Sequence, residues 1–308
     1  MKHTLVTGGA GFIGSHIVEE LVRRKQKVTV LDNLSTGYLK NIEKYKDKIK
    51  FIQGDITNKK DVEKAIKNVD FVLHLAASLS VVESVEKPEK YFKNNVSGTN
   101  NILQASLKFG VTKVVFSSSC SVYGTADKFP TPEDYQGVKL SPYAITKFTG
   151  EDLCRYYSAV FGIKTVVLRY FNVFGTRQDS SSSYAGVIPI FSKLMSQDKQ
   201  PIIFGDGKQT RDFVSVKDVA LANINACQIK NADGETINIG SGVETSVNDL
   251  YYKIAEILNY HNKPNYQKAR AGEAQRALGN LNKMRNILQI KPRTIDQELR
   301  NTVNYYQP

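Results

Sequence analysis

Thr7-Gly8-Gly9-Ala10-Gly11-Phe12-Ile13-Gly14 decides how this chain is read. It follows a strand-like run, Thr4-Leu5-Val6, and opens a segment with Ile17, Leu21 and Val22 at helical spacing. Strand, spaced glycines and helix together form a turn that can cradle a diphosphate. Gly8 permits the tight turn, Gly11 lets an anion approach the backbone, and Gly14 lets helix and strand pack closely. Free N–H groups and the positive end of the helix dipole then face the anion. Asp32 ends the next β-branched run, Val28-Thr29-Val30-Leu31, 18 residues beyond Gly14. An acid there suits the two ribose hydroxyls of NAD and repels the additional phosphate of NADP. Its plainer reading is a turn cap before Asn33.

Working outward, Ile49-Lys50-Phe51-Ile52, Phe71 to Leu75 and Val114-Val115-Phe116 read as further strands, with helical patterns between them. Lys164 to Leu168 and Glu235 to Ile239 add a sixth and a seventh. Apolar strands alternating with helices predict an α/β, Rossmann-type doubly wound parallel sheet of about seven strands, covered on both faces. After Tyr170 the pattern loosens into loops around one helix near 186–197, then helices near 246–259 and 294–305. The expected division is a dinucleotide-binding domain of 1–171 plus about 212–241. A smaller interleaved α+β substrate domain takes about 172–211 plus 242–308.

The 308 residues are enough for two domains and a core that needs no staple. Cys120, Cys154 and Cys227 are scattered and odd in number, and His3, His16, His74 and His261 show no metal-ligand spacing, so neither a disulfide framework nor a metal is expected. No apolar run approaches the roughly 18 residues of a membrane span, and the first strand leaves no room for a signal peptide. A cytoplasmic protein with no membrane partner is expected. The net charge is +12, from 42 Lys and Arg against 30 Asp and Glu. Nine lysines against five acids lie between Lys40 and Lys67, and nine cations against three acids between Lys263 and Arg300. Neither stretch has aromatic interleaving or a helix-turn-helix pattern. The charge is therefore read as a solvated exterior around an anionic ligand site, not as a nucleic-acid surface.

Ser141-Pro142 starts a helix on which Tyr143 and Lys147 project from one face, about 5–6 Å apart at Cβ. A phenol with an ordinary pKa near 10 is a poor base at neutral pH. A neighbouring ammonium and a positive nicotinamide ring move it toward working pH. Upstream, Phe116-Ser117-Ser118-Ser119-Cys120-Ser121-Val122-Tyr123-Gly124 falls at the carboxyl end of a strand, the edge where open α/β sheets bind ligands. Ser119 there can share the hydrogen bond to a reacting hydroxyl. The candidate catalytic group is Ser119, Tyr143 and Lys147.

With these pieces in hand, the chain resembles the extended short-chain dehydrogenase/reductase family, specifically its nucleotide-sugar 4-epimerases. The resemblance rests on the loop at 7–14, Gly54-Asp55-Ile56, His74-Leu75-Ala76-Ala77, Asn94 to Thr99, the serine strand and Tyr143/Lys147. It continues through Leu168-Arg169-Tyr170-Phe171-Asn172-Val173-Phe174-Gly175 and Gly207 to Phe213. It implies an NAD enzyme in which Asp55 and Ile56 flank the adenine and Asn95 and Phe171 contact the cofactor. It extends that cofactor site to Gly8, Gly11, Phe12, Ile13, Gly14, Asp32, Asn33, Leu75, Ala76, Ala77, Ser117, Tyr143, Lys147 and Tyr170. Asn172, Val187 and Arg211 would hold the sugar nucleotide together with Ser119 and Tyr143. Arg211 and Arg270 would lie on its diphosphate, and Glu273, where the family usually has Asp, near its ribose. The implied mechanism lends a hydride from C4 of a UDP-hexose to NAD and returns it to the opposite face.

The resemblance also sorts relatives. The 4,6-dehydratases place an Asp-Glu pair just after the serine or threonine, where this chain has Cys120 and Ser121, so plain epimerisation is implied. Four residues after Glu273 the family has either a tyrosine or a small residue beside the C2 substituent. Ala277 is small, which makes both UDP-N-acetylglucosamine and UDP-glucose candidates. A UDP-glucuronate epimerase and a non-catalytic NAD-binding regulator are the alternatives, and a homodimer is implied by the way relatives pair two helices.

Overall fold

The computed structural model describes residues 2–180, 186–269 and 274–307. The first part runs β1 (His3–Thr7), α1 (Phe12–Arg23), β2 (Lys27–Asp32), β3 (Ile49–Gln53), α2 (Lys59–Ile66), β4 (Phe71–His74), α3 (Val81–Glu86), α4 (Pro88–Tyr91), α5 (Gly98–Lys108), β5 (Lys113–Ser119), α6 (Pro142–Phe161) and β6 (Lys164–Tyr170). Then come β7 (Asn172–Phe174), α7 (Val187–Ser196), β8 (Ile202–Phe204), β9 (Thr210–Ser215), α8 (Val216–Gln228) and β10 (Thr236–Ile239). The chain continues through β11 (Glu244–Ser246), α9 (Val247–Leu258), β12 (Asn265–Gln267), α10 (Asn282–Asn286) and α11 (Ile295–Tyr305).

Seven parallel strands form the main sheet in the order β10-β6-β5-β4-β1-β2-β3. The chain leaves β1 toward β2 and β3, then crosses back to β4 on the other side of β1. That reversal opens a crevice at the carboxyl ends of β1 and β4, the position at which such sheets take ligands. Alternating side chains feed two cores. Val115 of β5 joins Ile17 and Leu21 of α1 and Val219 and Ile224 of α8 on one face. Val114 and Phe116 join Val62 and Ile66 of α2, Ile102 and Leu103 of α5 and Cys154 of α6 on the other. Each fully buried aliphatic side chain contributes about 1.5–3 kcal/mol, so the sheet is a rigid platform for its loops.

A third core gathers Phe191 of α7, Leu250 and Ile254 of α9, and Leu299 and Val303 of α11 around Phe174 and Phe213. Above it lies a three-stranded sheet in the order β11-β9-β7, with Asn172 paired to Phe213. The sequence reading expects only loops and one helix over 172–210. Three-residue strands such as β7 and β8 are too short to show a period, and their pairing is decided by distant partners. Tyr91 and Leu103 are fully buried, while Phe92, Leu107, Ile145, Tyr156, Val160 and Phe161 are exposed. Among the described residues no helix is long and apolar enough to cross a membrane.

Candidate active site

The glycine loop folds as a packed backbone turn. Gly8 has φ +69, and a Cβ there would stand 2.9 Å from the Ala76 backbone nitrogen. A Cβ at Gly14 would overlap the Gly8 carbonyl oxygen. Thr7 Oγ1 accepts from the Leu75 N–H at 3.1 Å and the Ala76 N–H at 3.2 Å, binding the loop after β4 to the loop after β1. Gly11, at the N-cap of α1, offers no side-chain cap, and the first turn carries no acid, so its N–H groups face the crevice unclaimed by side chains. The Asp32 carboxylate accepts from Ala10 N–H at 2.9 Å and Leu34 N–H at 2.8 Å, which leaves acceptor capacity on both oxygens. The turn-cap reading and the ribose reading of Asp32 are thus compatible.

Around this turn the other expected cofactor residues fall into two groups. Leu75, Ala76, Ala77, Phe12 and Ile13 are half-buried at the crevice. Asn33 donates to Asp55 Oδ2 at 2.9 Å. Burial would raise the Asp55 pKa, but the Thr57 N–H and hydroxyl and the Asn33 amide hold it below the usual carboxylate range. Ile56 is packed against Gly98, and its carbonyl accepts from Asn101. Asn95 braces the β4 loop: its Oδ1 accepts from Ser78 N–H at 2.7 Å, and its Nδ2 donates to Ser78 O and Thr146 Oγ1. Ser117 Oγ and the Tyr170 hydroxyl bond each other at 2.8 Å, and Tyr170 also bonds Asn223. Phe171 is buried against Val122, Tyr123 and Gly279.

The candidate catalytic groups come together as the helix spacing requires. Ser141 caps α6, its Oγ accepting from Ala144 N–H, and Pro142 occupies the first turn. Tyr143 and Lys147 are both buried on the face of α6 that meets β5. Lys147 Nζ donates to the Ser117 carbonyl at 2.8 Å and lies 5.2 Å from the centre of the Phe116 ring. Burial pushes the Tyr143 phenol up to about 12, opposed by the Ser119 hydrogen bond. Burial also lowers the Lys147 ammonium to about 8, opposed by Glu151. The sequence argument has the phenol moved down; in the field of the chain's own groups it moves up, because desolvation outweighs the Ser119 hydrogen bond. Beside them Cys120 is pushed up to about 12, by burial first and by Asp212 next, and Ser121 Oγ is enclosed with no hydrogen-bond partner among the described residues. Neither carries a charge.

The residues expected to take the substrate come from distant segments. Asn172 on β7 and Arg211 on β9 stand on adjacent parts of the three-stranded sheet, both half-buried. Asp212 is turned inward, its carboxylate accepting from Ser241 N–H at 2.6 Å, Ser241 Oγ at 2.7 Å and Gly242 N–H at 3.1 Å. Val187 opens α7 and is half-buried. Ala277, also half-buried, lies between two ties: Thr210 N–H to Gln275 O at 2.9 Å and Thr131 N–H to Leu278 O at 2.8 Å. Arg270 and Glu273 lie outside the described residues. Among the described residues no group of His, Cys, Asp and Glu could hold a metal ion.

Sequence reasoning passed over one set of buried polar groups. Glu151, four residues after Lys147, is paired with Arg169 and bonded to Ser118. A helix position at i+8 from Tyr143 and i+4 from Lys147 was the available signal, since an acid on that stripe has to face the sheet.

Comparison with known proteins gives a consistent result. The family model described as NAD dependent epimerase/dehydratase family matches residues 4–240. A UDP-glucose 4-epimerase of Mycolicibacterium smegmatis is 36% identical over 310 residues, covering 99% of this chain and 98% of its own. A UDP-glucose 4-epimerase of Thermotoga maritima, solved with UDP-glucose, superposes with a TM-score of 0.94 at 38% identity, covering 99% of this chain and 98% of that one. A UDP-N-acetylglucosamine 4-epimerase of Methanobrevibacter ruminantium, solved with UDP-N-acetylmuramic acid, superposes with a TM-score of 0.95 at 37% identity and the same coverages.

Proposed function

The chain belongs to the NAD dependent epimerase/dehydratase family, and we propose that it interconverts UDP-hexoses at C4, UDP-glucose with UDP-galactose, through a transient 4-keto sugar. The observation that carries the reading is the buried Tyr143–Lys147 stripe, anchored by the Lys147 bond to Ser117 O at 2.8 Å, beside a backbone cradle for a dinucleotide. The residues present fit NAD. The turn at Gly8 and Gly14 leaves no room for side chains, the start of α1 presents N–H donors, and Asp32 keeps acceptors for ribose hydroxyls. NAD bound there supplies the acceptor and later the donor of the C4 hydride.

The chain's own groups handle the proton. Tyr143 Oη takes the O4 proton as the C4–H bond breaks with its electron pair, and gives it back when the hydride returns to the other face of the ketone. Ser119 shares the hydrogen bond at O4. Lys147 holds positive charge beside the phenolate, and its tie to Ser117 O fixes where that charge sits. Gly8, Gly11, Phe12, Ile13 and Gly14 hold the diphosphate of the cofactor. Asp55, Ile56 and Asn33 border its adenosine, and Asn95 acts by bracing the loop of Leu75, Ala76 and Ala77. Asn172, Val187 and Arg211 grip the sugar nucleotide, joined by Arg270 and Glu273. The small Ala277 supports acceptance of UDP-N-acetylglucosamine as well.

The two-part division, 1–171 with 212–241 against 172–211 with 242–308, is supported by β10 joining the main sheet and by the separate core that α7, α9 and α11 share, but Leu281, Met284, Leu288 and Ile290 pack in the core of the main sheet and so side with the first part. The exposed Phe92, Leu107, Ile145, Tyr156, Val160 and Phe161 support a homodimer through the α4–α6 side. A cytoplasmic location completes the proposal. The test is to denature the purified protein, identify the released cofactor by mass spectrometry, and assay UDP-glucose and UDP-N-acetylglucosamine for their C4 epimers. Released NAD and a mixture of epimers are expected. NAD without any epimer would leave the regulator reading standing instead.

A further inference from the structure

Glu151 is completely buried, and Arg169 beside it is 3% exposed at its side chain. The pair is two-pronged: Arg169 Nε donates to Glu151 Oε1 at 2.9 Å and Nη2 to Oε2 at 2.6 Å. Ser118 Oγ donates to the same Oε1 at 2.5 Å. Arg169 also donates to the Glu133 carbonyl and lies over the Tyr123 ring at 4.8 Å, so its guanidinium is fixed on every side. This cluster joins α6, β5 and β6 directly behind the candidate catalytic groups. Its strand residue, Ser118, sits between Ser117, whose carbonyl takes Lys147, and Ser119.

Such a cluster is a poor device for stability alone. Burying two charges carries a desolvation penalty, and apolar residues of similar volume often replace such a pair at no loss. Close packing between α6 and β5 is already present, since a Cβ at Gly150 would collide with the Phe116 ring. What apolar residues cannot supply is negative charge behind the Lys147 ammonium. Resting on the function proposed above, we propose that Glu151, held by Arg169 and Ser118, is a positioning residue that fixes the Tyr143–Lys147 stripe against β5 and places its carboxylate one helical turn from the Lys147 ammonium.

The groups facing Lys147 and Glu151 set the sign of the effect. From α6 come Tyr143, Glu151, Cys154 and Arg155, the last 3.6 Å from Glu151. From β5 come the Ser117 carbonyl, the Ser118 hydroxyl and the Phe116 ring; from β6 comes Arg169. His74 of β4, whose pKa is lowered to about 3 by burial first and by Lys147 next, stays neutral. Burial lowers Lys147 to about 8, and Glu151 opposes it. Without the carboxylate, burial acts unopposed and the ammonium loses its proton at lower pH.

The test compares Glu151→Gln with Glu151→Asp in the full-length holoenzyme. In Glu151→Gln the alkaline limb of the kcat–pH profile moves down by about one pH unit, so kcat on that side falls about tenfold. Glu151→Asp keeps the charge and leaves the limb in place, even if it loses as much thermal stability. Denaturant unfolding supplies a second readout that needs no turnover. Between the native and unfolded pKa of Lys147 the unfolded chain binds more protons, so this group makes stability rise with pH there. In Glu151→Gln that rise begins about one unit lower, and in a Lys147→Met background the difference vanishes. Should Glu151→Gln not fold, Glu151→Gln with Arg169→Gln removes both charges, and a smaller shift in the same direction is expected. An unmoved limb and slope, or equal shifts in the Gln and Asp variants, would overturn the proposal. Failure of the wild-type protein to epimerise any UDP-sugar would instead sink the functional reading, and the unfolding slopes would still decide the role of Glu151.

Discussion

The two sides of the proposed site, one for cofactor and one for substrate, are built from different materials. The cofactor side is backbone: the turn at Gly8 and Gly14, the β4 loop stitched to Thr7, and the uncapped start of α1, all on one rigid sheet. The substrate side is side chains: Asn172, Arg211 and Ala277, each half-buried, carried by short strands and by a segment tied across β9 and Thr131. The difference suits the proposed chemistry. A dinucleotide retained through the cycle needs a surface that does not move, whereas a hexose that must turn over needs a grip on its nucleotide and freedom around its ring.

That contrast can be broken most directly at Gly14. Gly14→Ala places a methyl against the Gly8 carbonyl, an overpacking of about 1–3 kcal/mol that falls on the turn itself. Retained NAD in the purified protein is expected to drop by roughly ten- to hundredfold in affinity, with binding of UDP alone unchanged. Equal losses on both sides would mean that the two surfaces are not separable. Arg211→Leu attacks the other side. Losing a charged hydrogen bond of about 1.5–3 kcal/mol should raise KM for the UDP-sugar about tenfold or more while NAD stays bound, which cofactor content and steady-state kinetics measure together. Ala277→Tyr is the finest probe. Turnover of the N-acetylated sugar should fall about tenfold relative to UDP-glucose, on the scale of a few methylenes in a pocket; unchanged selectivity would remove Ala277 from the sugar site.

Legibility in the sequence followed the same division. The glycine loop, its strand and its helix lie within one short stretch, so local pattern and global role coincide. The Tyr143–Lys147 stripe was readable for the same reason: helix spacing alone places both side chains on one face. The inner strands of the main sheet were also visible, because strands buried on both faces are written as apolar runs, while the edge strand β3 was read from Ile49, Phe51 and Ile52 despite its exposed Lys50 and Gln53. On the substrate side the signal is non-local. Asn172 meets Phe213 through β7 and β9, and Ala277 is placed by Thr131 and Thr210, pairings that no window of sequence contains. Glu151 was hidden differently, since a charged residue on a helix ordinarily reads as solvent-facing. The +12 charge, the most conspicuous feature of the composition, contributes only a few cations to the proposed site, Lys147 and Arg211 among the described residues.

The measurement closest to the central claim is the pair of numbers obtained from Tyr143→Phe: the rate of UDP-galactose formation from UDP-glucose, and NAD content after denaturation. Phenylalanine keeps the buried ring and removes the hydroxyl proposed to take the O4 proton. The account predicts a rate lower by about 10²–10⁴-fold, the usual contribution of a general base, with NAD content equal to that of the wild-type protein. A variant that still forms UDP-galactose at the wild-type rate would contradict it.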